Sequence, residues 1–109
     1  MVQIADTSGA KLNTAVAAGG LEYIITAQPT KYTNTWNRLI IQNSDVVQIR
    51  VYLDGNTARA FDVGPNNGSL VLEPKDGYRF GTVQVKNLDA AVAETAGKIV
   101  ATADLVVDG

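Results

Sequence analysis

The chain contains neither cysteine nor histidine. Those two absences exclude disulfides, thiol nucleophiles, cysteine- or histidine-built zinc sites and every catalytic triad that needs an imidazole. Charge is also sparse, with charged residues at 18% and a net charge of −2. The pI near 4.8 argues against a general electrostatic grip on nucleic acid. No run approaches the ~20 apolar residues of a membrane span, so no membrane partner is expected. Residues 1–6 lack the basic start and apolar stretch of a secretory signal, which points to synthesis in a reducing cytoplasm. A cysteine-free chain suits a reducing or an oxidising destination equally, so the final location stays open on that ground.

What is present is a chain of 109 residues, 46% hydrophobic, a length for one domain with ~65% of its unfolded surface buried. The dominant period is two. In residues 46–54 the apolar Val47, Ile49, Val51 and Leu53 alternate with Gln48, Arg50 and Asp54, the pattern of a strand with one buried and one wet face. Residues 36–43 place Leu39 and Ile41 opposite Arg38 and Gln42, and the polar Asn43-Ser44-Asp45 predicts an antiparallel hairpin between the two strands.

Further strands are predicted at 21–28, 57–63, 69–73, 78–86 and 98–107, with a short edge strand at 2–4. Leu21, Tyr23, Ile25 and Ala27 are expected on one face. Parity changes between Phe80 and Val83, where Gly81 would mark a β-bulge. Residues 89–97 read either as a helical crossing or as an irregular loop. About eight short strands jointed by Gly, Pro and Asn predict an all-β domain, a single antiparallel β-sandwich at 21–109. Residues 1–20, small, polar and Gly/Ala-rich from Thr7 on, are expected to form an N-terminal arm or edge segment. The arm is flexible in an isolated monomer, and becomes either a contact for a neighbour through Leu12 and Val16 or a terminus with no role.

Catalytic signals are missing. Glu22, Glu73 and Glu94 fall on separate elements and read as solvated acids, without the fixed carboxyl pair of a glycosidase. Asp54-Gly55-Asn56 resembles half a calcium loop, but no spaced acids or closing Glu follow, and the triplet reads as a hairpin turn. The glycine-rich stretch 64–69 has neither the Lys-Ser/Thr pair nor the following helix of a phosphate cradle. The expectation is no catalytic, metal or cofactor site. Trp36 and Tyr52 are the candidate partner-contact aromatics, with a packing role in the core or at its rim as the other reading: Tyr52 falls on the wet face of its strand, and Trp36 is either exposed or folded over the sheet end.

Two stretches carry a resemblance. Leu39-Ile40-Ile41-Gln42-Asn43-Ser44-Asp45 precedes Ile49-Arg50-Val51-Tyr52-Leu53-Asp54-Gly55, and Leu70-Val71-Leu72-Glu73-Pro74-Lys75-Asp76-Gly77-Tyr78 precedes Val83-Gln84-Val85-Lys86-Asn87-Leu88. About half the chain thereby resembles small β-sandwich virion proteins of tailed bacteriophages. The resemblance implies a jelly-roll-like sandwich that forms a homotrimer or another closed oligomer. Such a protein decorates or cements a capsid, or joins a tail or spike, beside a major capsid or other virion protein. It implies no catalytic residues and no cofactor. The cadence from Gly68 to Gly77 is similar to that of cupins, whose metal-binding histidines have no counterpart here. The alternative from the residues themselves is a carbohydrate- or surface-binding module using Trp36 and Tyr52 as sugar platforms.

Overall fold

The alternation of the sequence carries directly into two facing sheets. In the computed structural model, which describes residues 2–6, 10–12, 15–26 and 35–107, β4 (Arg38–Asn43) buries Leu39 and Ile41, and β5 (Ile49–Leu53) buries Ile49, Val51 and Leu53. From the opposite half of the chain, β8 (Val83–Asn87) buries Val83 and Val85, and β9 (Ile99–Val107) buries Ile99, Ala101, Ala103 and Leu105. These side chains form one continuous apolar core, closed by Trp36 and Phe80.

Around it lie β1 (Val2–Asp6), β2 (Ala10–Lys11), β3 (Leu21–Ile25), β6 (Asn56–Val63) and β7 (Gly68–Leu72). One sheet runs β1-β9-β4-β7, with β2 also on β9, and the other runs β3-β8-β5-β6. Among the described residues all pairings are antiparallel, and one set of them is nested: β1 and β2 with β9, β3 with β8, β4 with β7, β5 with β6; β4–β9 and β5–β8 then join these pairs into the two sheets. Nesting of this kind is a long hairpin rolled over on itself, which is the jelly roll. The fold is therefore the expected all-β sandwich. The described parts of residues 1–20 include two strands of the first sheet, and Leu12 and Val16 lie in the core.

Three expectations are corrected. β4 and β5 do not form a hairpin, since they belong to opposite sheets. The chain turns a corner at Asn43, whose Oδ1 accepts the Asp45 N–H at 3.0 Å while its Nδ2 donates to the Val47 and Gly64 carbonyls. Residues 44–48 then cross the sandwich, so the apolar faces of the two strands meet across the core. The tight hairpin is β5–β6, where Asp54 (φ 55°) and Gly55 (φ 67°) take the two left-handed positions of a two-residue turn.

The second correction concerns 78–86. No bulge carries the strand through Gly81. The strand starts at Val83, and Phe80 instead exchanges backbone hydrogen bonds with Trp36 in an isolated bridge. The parity change records a chain leaving one sheet for the other. Third, β3 carries a register shift between Tyr23 and Ile25, so Leu21 and Tyr23 face solvent while Ile24 and Ile25 are buried. Ala27 lies outside the described residues. Of the two readings of 89–97, the irregular loop is the one observed: 88–98 holds no helix and is opened by the Asp89 carboxylate accepting the Ala91 and Val92 N–H groups.

Turn 64–67 shows how closely the loops are tied. Asn66 and Asn67, both left-handed, donate N–H to the Asp45 and Asn43 carbonyls at 2.8 Å. A Cβ on Gly68 would lie 2.1 Å from the Gly64 carbonyl oxygen, so only glycine fits there.

Candidate functional site

The four residues expected as contacts part company in the structure. Trp36 is 1% exposed, Leu12 3% and Val16 1%; all three are committed to this chain's own core and offer no free surface. For Trp36 the cause is the bridge to Phe80, which draws the indole inside the sheet end rather than over it. Tyr52 alone points outward, half-buried, from the middle of β5.

The register then assembles a face around Tyr52. Antiparallel partners directly opposite one another share a side of the sheet. One row across β3, β8, β5 and β6 is Leu21, Lys86, Arg50 and Asp62. The next is Tyr23, Gln84, Tyr52 and Ala60. Tyr23 is 55% exposed and stands two strand spacings from Tyr52, roughly 10 Å. Strict alternation puts Tyr23 on the face of Ile25; the isolated sequence carries no signal for the bulge that exposes it.

Arg50 is the fixed point of this face. Its Nε and Nη2 meet the two oxygens of Asp62 at 2.6 and 3.1 Å, a bidentate pair. Hydrogen bonds to Asp62 and then to Tyr52 push the guanidinium further up from its ordinary value, and the same Arg50 hydrogen bond holds the Asp62 carboxyl below its own. An open depression of about 430 Å³ is lined by Arg50, Tyr52, Thr57, Ala60 and Asp62. Its floor mixes one aromatic ring with a planar ion pair and a hydroxyl. Such a surface can stack on an apolar ring face and hydrogen-bond hydroxyls or amides around it.

Among the acids, Asp54 lies in the expected turn and Glu94 departs from expectation. Asp54 organises its turn: Oδ1 accepts the Gly81 and Thr82 N–H groups at 2.7 and 2.9 Å, and Oδ2 pairs with Arg59 at 3.2 Å. Arg59 also donates to the Arg79 carbonyl. Glu94 is not a solvated acid, because it is 1% exposed and lies beside the buried Asp45. Among the described residues no group of three acids, histidines or cysteines is placed to hold a metal ion. No family model, curated protein or solved structure matches the chain.

Proposed function

We propose that the chain is a non-enzymatic virion assembly protein, a jelly-roll subunit that decorates or cements a phage capsid or forms part of a tail or spike. The observation that carries this reading is the nested strand order, a layout used by capsid and lectin domains. Two features support it. The interior is filled by Trp36, Phe80 and aliphatic side chains, which leaves the outer faces as working surface. Edge strand β3 presents Leu21 and Tyr23 to solvent, apolar area of the kind a neighbouring subunit covers. The partners are then further copies of the chain, as a trimer or other closed ring, and a major capsid or other virion protein. The test mixes purified protein with candidate phage capsids and follows co-sedimentation, with light scattering for the oligomer. Saturable pelleting supports the reading; a monomer that stays in the supernatant with every capsid refutes it.

A second reading rests on the Tyr23–Gln84–Tyr52 row beside the Arg50–Asp62 pair. It makes this face a carbohydrate-binding platform, in which Tyr23 takes the place that the buried Trp36 cannot fill. A glycan array separates the two, since a cement protein gives no specific hit.

A further inference from the structure

We propose that Glu94 is a proton-operated latch: neutral, its carboxyl closes loop 88–98 over the segment around Val16, and ionised, it loosens that closure. The geometry is a clamp. The Glu94 N–H donates to the Val16 carbonyl at 2.8 Å, and the Val16 N–H donates back to Glu94 Oε2 at 3.3 Å. The other carboxyl oxygen, Oε1, is buried and has no hydrogen-bond partner. A buried carboxylate with one long hydrogen bond and one bare oxygen is poorly solvated, whereas a neutral carboxyl in the same place costs far less.

The surroundings sharpen that preference. From the β4–β5 connection comes Asp45, also buried, with its Oδ1 accepting the Val46 N–H and its Oδ2 the Thr95 N–H at 2.7 Å. Strand β8 contributes Asn87, a neutral side chain that donates to the Val16 and Val92 carbonyls. Segment 15–20 has no titratable side chain. In the loop itself Asp89 is turned to the Ala91 and Val92 amides, and Lys98 is exposed. The charged group facing Glu94 is therefore an acid. Burial pushes its carboxyl up from the ordinary value, the Val16 N–H opposes this in part, and Asp45 adds to the rise.

The sign follows from linkage. A folded-state value raised above the unfolded one contributes stability that is complete below the ordinary glutamate range and is lost as pH rises through the folded value. The same loop holds the N-terminal segment a second time, through the Gly97 N–H on the Leu12 carbonyl at 2.7 Å. Ionisation of Glu94 thus weakens the attachment of Leu12 and Val16 to the sandwich, and acid tightens it.

The experiment is amide hydrogen exchange by NMR on the full chain at about pH 5 and about pH 8, corrected for intrinsic rate, with Glu94→Gln alongside. The latch predicts that protection of the Val16 and Glu94 amides in the unmodified chain falls at least about tenfold at the higher pH. Val51 in β5 stays unchanged, and the Glu94→Gln variant holds the acid-level protection at both values. No pH trend in the unmodified chain, or the same trend in Glu94→Gln, overturns it. A carbon-13 titration of the Glu94 carboxyl in the unmodified chain tests the idea without any variant: an ordinary glutamate titration refutes it. Calcium chloride that restores full protection at about pH 8 would also overturn it, in favour of a cation held by Glu94 and Asp45.

Discussion

Two carboxylates, at Asp54 and Glu94, each tie distant loops together, yet they solve the charge problem in opposite ways. Asp54 sits at an exposed hairpin, accepts two amides and faces Arg59, so its charge is met by both hydrogen bonds and a cation. Glu94 sits at a buried corner, accepts one long bond and faces Asp45. The difference teaches that a loop acid's role is set less by its neighbours in sequence than by how much water and which charges the fold leaves beside it. The exposed acid at Asp54 has its charge met by amides, a cation and water, while the hold of the buried Glu94 depends on its protonation.

The comparison can be tested from both sides, with the core as reference. Val51→Asp introduces a charge between the sheets and should unfold the domain, costing more than about 4 kcal/mol and loosening both corners at once. A denaturant melt with a folded baseline for this variant would show that the two corners are not joined by one cooperative core. Next in size is Asn43→Ala at the buried corner. It strands the Val47 and Gly64 carbonyls and the Asp45 N–H, so a loss of about 3 kcal/mol is expected from the shift of the urea midpoint. Asp54→Ala removes the exposed brace and should cost about 1–2 kcal/mol, because water replaces part of what is lost. If Asp54→Ala proves worse than Asn43→Ala, the contrast between the corners is drawn the wrong way round.

Smaller effects carry the sign of the contrast. The Asp89 carboxyl is held below its ordinary value by the Ala91 and Val92 amides. Its contribution is present above the ordinary aspartate range and is lost as pH falls through the folded value, opposite to Glu94. Asp89→Ala should therefore flatten the acid limb of the stability–pH curve and leave the alkaline limb unchanged, as read from melting temperatures across pH. Arg50→Ala should have the least effect on melting, since its pair with Asp62 is exposed and screened. Its consequence belongs to binding: under the carbohydrate reading it weakens array signals together with Tyr52→Ala, and under the assembly reading it does not.

Much of the sandwich was legible in the chain because burial of one strand face writes itself as period two. Ile49, Val51 and Leu53 in β5, Leu39 and Ile41 in β4 and Ile99 to Leu105 in β9 are inward as the alternation requires. The Asp54-Gly55 turn was equally legible, because positive φ at both positions is a local demand on residue type. The outer face containing Tyr52 follows from the same parity. Tertiary structure alone decided the rest. Whether Asn43-Ser44-Asp45 closes a hairpin or turns a corner depends on what lies across the core, and the Gly64 carbonyl that completes the corner is far along the chain. The exposure of Tyr23 depends on a register shift against β8 that keeps Ile25 inward by inserting one residue. Glu94 has the local signature of a solvated loop acid. It is buried because loop 88–98 closes on Val16 and Asp45, residues 78 and 49 positions away along the chain. Period and turn chemistry are properties of neighbours, whereas desolvation and the charge that surrounds a buried acid arise only when distant segments meet.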